Sequence, residues 1–165
     1  MEFKTSPDAT SKMVTSLVCV LLGIEAVHLL YRLSLGLEDD GTVLLQLLIL
    51  VAIPFLAWLF SPQAYELRDG ALVIVRPFRP VVIPFAEIRG VHVVDPEEVS
   101  WAVRVLGVGG MFGYYGKFWR TELGFASYYL RNKENPIVLE TTHGRIVLSP
   151  DSPDLARALR SALVG

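Results

Sequence analysis

Cysteine is almost missing from this chain: its 165 residues contain one, Cys19. A lone thiol excludes an intramolecular disulfide, a cysteine-built zinc site and a CxxC redox pair. Cys19 lies inside an apolar run, where a small lipid-facing or helix-packing residue is all that is required. Charge is scarce too, at 19% of residues against about a quarter in a soluble domain, while hydrophobic residues reach 52%. The net charge is −2, and from Tyr65 onward twelve Lys and Arg meet eleven Asp and Glu, a difference of +1. So even a balance builds no basic face or stripe, which argues against a nucleic-acid partner. Histidine is limited to three residues. His92 alternates with Val91 and Val93, His143 sits between turn residues, and no Ser-His-Asp, HExxH or motif-placed carboxylate pair accompanies them. The sequence therefore offers no catalytic residue, no metal set and no cofactor motif, and an enzyme is not expected.

The apolar excess is local. Met13 to Leu35 and Thr42 to Phe60 hold nearly all the long hydrophobic runs, and each suffices to cross about 30 Å of hydrocarbon as a helix. The link Gly36 to Gly41 is so short that the two helices must be antiparallel neighbours. A cleaved signal peptide competes for the first run, with Ser34 and Gly36 as small residues near a cleavage point. That run exceeds a signal core of about 7–15 residues and carries Glu25, so an uncleaved anchor is preferred. Lys4 and Lys12 precede the first helix, and Arg68, Arg76 and Arg79 follow the second; the link holds Glu38, Asp39 and Asp40. The positive-inside rule then places both termini in the cytoplasm, with Trp58, Phe60 and Tyr65 near the inner interface. Three regions result: a cytoplasmic tail over 1–12, a transmembrane hairpin over 13–60 and one soluble domain over 62–165.

From Tyr65 the period changes to that of strands. YELRDGALVIV is two strands around Asp69-Gly70, a dipeptide suited to a tight hairpin turn. Val81 to Phe85 and Ile88 to Val94 add two more. Asp95-Pro96-Glu97-Glu98 has the form of a capping box, and Val99, Ala102, Val103 and Leu106 follow at helical spacing up to Gly107. A short amphipathic helix is expected there. The glycine- and aromatic-rich stretch after it reads as a loop or distorted strand. Phe125 to Arg131, Pro136 to Thr141 and Gly144 to Ser149 are three further strands, the last two joined by Thr142-His143. Ser152 then caps a final helix with Pro153 at its first position and Leu155, Ala158, Leu159 and Ala162 on one face.

Several stretches together resemble the bacterial pleckstrin-homology (PH)-like domain proteins with membrane anchors. They are Tyr65-Glu66-Leu67-Arg68-Asp69-Gly70-Ala71-Leu72, Ile83-Pro84-Phe85-Ala86-Glu87-Ile88, Gly107 to Gly116, Gly124 to Tyr129, and Ser149-Pro150-Asp151. The resemblance covers about residues 62–163. It implies a membrane-anchored α+β protein: a two-helix transmembrane hairpin plus a seven-stranded, partly open β-barrel closed by a C-terminal α-helix. It also implies residence in the bacterial cytoplasmic (inner) membrane as a multi-pass protein. Phosphoinositide binding of the eukaryotic PH kind needs a Lys and Arg cluster between the first two strands. Here that loop is only Asp69-Gly70 beside Arg68, so headgroup binding of this kind is not expected.

Two sets of residues stand out as candidate sites. Gly107, Gly109, Gly110, Gly113 and Gly116 suggest a phosphate cradle, but Phe112 stands where the dinucleotide fingerprint needs glycine and no GK[ST] follows. The same stretch interleaves Met111, Phe112, Tyr114, Tyr115, Phe118 and Trp119 with Lys117 and Arg120. Outside the barrel these rings would form a contact surface for membrane or protein; inside they are core. The second set is Glu25, His28 and Arg32, which share one face of the first helix at i, i+3 and i+7, with Gln46 at a matching depth on the second. Ionisable groups in hydrocarbon are costly and often functional, although snorkelling and neutralisation accommodate them as well. The expected partners are the lipid bilayer and a protein, either another chain or a second copy. Two readings stay open: a non-catalytic interaction (adaptor or scaffold) module acting through its cytoplasmic domain, and an accessory subunit of a transport or envelope complex whose interface is the hairpin.

Overall fold

A computed structural model describes residues 1–37, 39–100, 102–121 and 124–164. Helix α1 (Ala9–Ser34) is capped by Asp8, whose carboxylate accepts from the Ser11 amide at 2.6 Å. It ends where Gly36 takes φ +67, the left-handed conformation that a glycine adopts without strain. Asp39 caps α2 (Asp40–Phe60) in the same way, accepting from the Thr42 amide at 2.9 Å. Glu38, expected at the turn, lies outside the described residues. In α1 only Ser11 and Leu29 are buried, and in α2 only Val43 and Ala57. Both helices are long and apolar enough to cross a membrane.

The rest of the chain forms two open sheets and a closing helix. One sheet has the order β1 (Glu2–Lys4), β2 (Ala64–Arg68), β3 (Ala71–Val75), β4 (Val81–Pro84), all antiparallel. The β2–β3 turn is Asp69-Gly70, both at positive φ (+53 and +72), as a two-residue hairpin of primed type requires. The other sheet contains β5 (Ile88–Val93), β6 (Val103–Gly109), β7 (Tyr114–Arg120), β8 (Gly124–Leu130), β9 (Ile137–Thr141) and β10 (Gly144–Leu148). Its order is β5-β9-β10-β8-β7-β6, with β10 parallel to β8 and the other pairs antiparallel. A one-turn helix α3 (Pro96–Val99) follows β5, and α4 (Asp154–Val164) ends the fold. Tyr65, Leu72 and Ile74 from one sheet and Leu139 and Leu148 from the other meet Leu155 and Leu159 of α4 in a single core. Burial pushes the Tyr65 phenol up to about 12; its hydroxyl donates to the Tyr129 carbonyl at 2.6 Å and accepts from the Ser149 amide at 3.0 Å.

The architecture keeps the seven expected strands and adds three, so the described residues hold ten strands in two sheets that do not close into a barrel. Two of the additions are β6 and β7. The expected helix after Asp95 stops after one turn although its cap forms, Glu98 accepting from the Asp95 amide at 3.1 Å. Val103 to Gly109 instead pairs with β7 as a strand, a state that β-branched Val103, Val105 and Val108 favour and that tertiary pairing enforces. The opposed Gly107 and Gly116, at φ +129 and +124, are what let the ladder close: a Cβ on either would fall on the carbonyl across from it, Tyr115 or Leu106. The third addition is β1. Of residues 1–12, expected as a tail, those from Ala9 on belong to α1, and those before it lie against the domain: β1 pairs with β2, Thr5 donates to the Ser149 carbonyl at 2.7 Å, and the Asp8 amide donates to the Arg131 carbonyl at 3.2 Å. In α4 the inward stripe is Leu155, Ala156 and Leu159, a small rotation from the expected one that leaves Ala162 exposed.

Candidate functional site

Strand alternation divides the outer end of the large sheet into two faces. On one, Tyr114, Gly116 and Phe118 of β7 share a side with Ala126, Tyr128 and Leu130 of β8. Phe118, Ala126, Tyr128 and Leu130 are buried there with Val99, Val138 and Val147 in a second cluster, and the Phe118 and Tyr128 rings stack at 4.6 Å. Tyr114 is half-buried at its edge, with the Lys133 ammonium 4.7 Å from its ring; burial, helped by the Asp8 carboxylate, pushes its phenol up to about 12. On the opposite face, Tyr115, Lys117 and Trp119 stand beside Ser127, Tyr129 and Phe125 of β8 and Val108, Leu106 and Val103 of β6.

That second face looks onto the helical hairpin. The Tyr115 hydroxyl donates to the carbonyl of Ala57 in α2 through a short bond, and burial raises its phenol above the usual range. The β6–β7 turn is seated on α1: the Phe112 amide donates to Thr15 Oγ1 at 2.9 Å, and a Cβ on Gly110 would lie 3.2 Å from Val14. Gly113, at φ +132, brings its backbone onto the Leu130 carbonyl. Much of the glycine-aromatic segment is thus occupied by the chain's own helices. Its rings divide, Tyr115 buried, Tyr114 half-buried and Trp119 41% exposed.

Between α2 and this face runs a cleft of about 660 Å³. Ile53, Leu56 and Phe60 form one wall and Leu106, Val108, Met111, Tyr115 and Tyr129 the other, with Gly107, Gly116 and Ser127 between. Two cations border it. The Arg76 guanidinium stands 5.8 Å from the Phe60 ring and 5.8 Å from the Tyr129 ring while donating to the Arg79 carbonyl at 2.7 Å; Lys117 Nζ donates to Ser127 Oγ at 2.6 Å. Beyond the cleft the same face continues as exposed apolar surface: Leu106 is 71% exposed, Phe125 68% and Val103 59%. Sequence reading gave Arg76 only as flank charge and Phe60 only as an interface ring, and it did not single out Phe125. The available signal was FASYYLR, whose large apolar or aromatic residues fall on both faces of one strand.

The polar residues of the hairpin come partly together. Glu25, Arg32 and Gln46 line a hollow of about 240 Å³ with Leu29, Ile49 and Leu50, and Gln46 Oε1 is buried there without a hydrogen-bond partner. His28 is not in the hollow; its Nδ1 lies 3.6 Å from the Glu25 carboxylate. In the domain, His92 lies 3.8 Å from Glu140 and His143 3.8 Å from Glu87, both pairs on the surface. No group of three or more His, Cys, Asp or Glu that could hold a metal occurs among the described residues.

With this arrangement of sheets, closing helix and attached hairpin, the comparison with known families is decisive: a family described as bacterial PH domain matches residues 63–163, more than half of the chain. The chain belongs to the bacterial PH domain family. No curated protein and no solved structure matches it. Within this PH-like domain, the β2–β3 turn is two residues long, and the cleft lies elsewhere, where the outer strands meet α2.

Proposed function

We propose that the chain is a non-catalytic, membrane-anchored interaction module: the α1–α2 hairpin crosses the bacterial cytoplasmic membrane, and the PH-like domain presents the outer end of its large sheet to a protein partner. The observation that carries the reading is the unpartnered apolar surface of both parts. Leu17 at 56% and Leu48 at 64% exposed are typical of the helices, which a soluble protein's core helices would not match. Cleavage after α1 would remove β1 and the contacts of Thr5 and Asp8, which speaks for a retained anchor. The pairing of β1 with β2 also holds the N-terminal segment and the domain at one end of the hairpin, and Lys4, Lys12, Arg68, Arg76 and Arg79 cluster at that end, which supports a cytoplasmic domain.

In the domain, β6 is an edge strand whose Val103, Val105 and Leu106 are exposed, and an open edge with apolar side chains is a natural acceptor for another protein. Photo-crosslinking from Val105 and Phe125 in intact cells tests this, the expected result being one shared partner from both positions. A second reading is favoured by the unsatisfied Gln46 Oε1: the hairpin is the interface, as in an accessory subunit of a membrane complex. Crosslinks that arise from Gln46 and Glu25 but not from the domain would replace the first reading with the second. A reporter fused after the last residue should be active in the cytoplasm; periplasmic activity would reverse the topology.

A further inference from the structure

We infer that the cleft between α2 and the outer strands is a binding site for one anionic phospholipid drawn from the bilayer, with its phosphate at Arg76 and Lys117 and an acyl chain along Ile53, Leu56 and Leu106. The inference rests on the proposed membrane anchoring.

The polarity of the cleft follows that of a lipid. Phe60 is the last residue of α2, and the Arg76 guanidinium stands 5.8 Å from its ring, so this cation marks the end of the helix where headgroups lie. Ile53, two turns back, is about 10 Å deeper along the helix axis. From Phe60 to Ile53 the wall formed by α2 offers only Leu56 and Ala57 as further lining residues, and the sheet opposes them with Leu106, Val108 and Met111. An apolar wall on both sides with the Arg76 cation at the shallow end suits an acyl chain beneath a phosphate.

Arg76 and Lys117 border the same cleft. Lys117 pairs with Ser127, two residues from Tyr129 on the same face of β8, and Arg76 stands by the Tyr129 ring. Each has a hydrogen bond to a neutral oxygen, Arg76 to the Arg79 carbonyl and Lys117 to Ser127 Oγ, and neither meets a carboxylate among the described residues. Their charge is thus open to an anion, and a phosphate oxygen accepting from either forms a charge-assisted bond. Gly107 and Gly116 bring only backbone to the lining of the cleft, since a Cβ on either would fall on the carbonyl of Tyr115 or Leu106 across the ladder.

The site is also continuous with its source. Leu56 and Ile53 are 52% and 48% exposed, so the cleft opens along α2 onto the surface that the bilayer would cover. A lipid can enter sideways without leaving the membrane. A protein segment would have to bring a cation-free, anion-tipped apolar strand to the same depth.

The test uses the full chain in mild detergent, with phosphatidylglycerol or phosphatidylcholine added and adducts counted by native mass spectrometry. One phosphatidylglycerol should be retained in preference to phosphatidylcholine. Lys117→Gln and Arg76→Gln should each weaken retention about tenfold, the loss of one charge-assisted bond. Arg76→Lys should restore most of it, and Lys133→Gln, on the opposite face, should change nothing. Equal retention of both lipids, or retention indifferent to Lys117→Gln and Arg76→Gln, overturns the inference. Carbonate extraction from vesicles of equal parts of the two lipids separates the causes of failure. Release into the soluble fraction overturns the anchoring and this site with it; a chain that stays in the vesicles yet keeps no lipid overturns the site alone.

Discussion

Helix α4 and helix α2 differ in what their surfaces ask for. α4 buries Leu155, Ala156 and Leu159 on one stripe and turns Asp154 and Arg157 outward, so its partner is a directional one, the core of its own domain. α2 has leucine, isoleucine or phenylalanine on every side and buries only Val43 and Ala57. A helix apolar all round needs a partner all round, and lipid, under the proposed anchoring, is such a partner. The β6–β8 face is an intermediate case: it spends Tyr115 on α2 and leaves Leu106 and Phe125 uncovered.

Truncating one leucine in each helix tests the contrast and carries the largest expected effect. Leu159 is fully buried, and Leu159→Ala should cost about 2–5 kcal/mol of domain stability. Leu48→Ala, at a site 64% exposed, should leave the domain within about 0.5 kcal/mol of the parent. Denaturant unfolding of the full chain in micelles, followed by near-ultraviolet dichroism, measures both. Comparable losses would mean that α2 is packed into the domain, and the contrast would fail.

Alkaline titration sharpens the same contrast from the core side. Burial holds the Tyr65 phenol at about 12 in the folded chain, above its ordinary value near 10. The folded state therefore keeps a proton that the unfolded state gives up. Its share of stability is complete below pH ~10 and is lost as pH rises towards about 12, on the order of 2–3 kcal/mol in all. Tyr65→Phe should flatten that limb in part, since Tyr114, Tyr115 and Tyr128 are also raised. An unchanged slope between pH 10 and 12 would show that the Tyr65 hydroxyl is not buried as described.

Legibility in the sequence followed the range of the interactions. The Asp69-Gly70 turn, the strands on either side of it, the final helix and the two apolar helices rest on local periodicity or on turn chemistry, and these were readable. The stretch after Asp95 misled because its capping box is real, while the pairing of Val103 to Gly109 with β7 is a tertiary fact that overrides helical spacing. β1 was hidden for a related reason: three residues carry no period, and only the β2 edge makes them a strand. The cleft could not be read at all, because α2 and β6 lie about 50 residues apart and Arg76 joins them from a third element.

The bond that holds the two regions together should come next in size. Tyr115→Phe removes only the hydroxyl that donates to the Ala57 carbonyl, and should cost about 1–2 kcal/mol, with looser protection of the β6–β7 amides in hydrogen exchange. Tyr115→Ser removes a buried ring as well and should cost about 3–5 kcal/mol. If Tyr115→Phe loosens neither the strands nor the end of α2, the domain and hairpin are coupled by something other than this contact.

The smallest effect is expected inside the hairpin, and it tests whether α1 and α2 see lipid alone. Gln46 Oε1 is buried in the hollow shared with Glu25 and Arg32 and accepts no bond, so a donor is wanted there. Glu25 itself is half-exposed, and the His28 Nδ1 that lies 3.6 Å from its carboxylate belongs to its own helix and is equally exposed. A second chain approaching this side could bond the Glu25 carboxylate, and interhelical polar contacts in membranes contribute about 0.6–2 kcal/mol each. Glu25→Leu should therefore weaken self-association or partner capture by roughly 3- to 30-fold while insertion persists, because leucine is better tolerated in hydrocarbon than a carboxylate. Energy transfer between labelled copies in vesicles, read as a function of protein-to-lipid ratio, measures the first quantity, and co-capture of the partner the second. Should both be unchanged in Glu25→Leu, the polar side of α1 is only tolerated, and the hairpin is as isotropic in its contacts as its composition suggests.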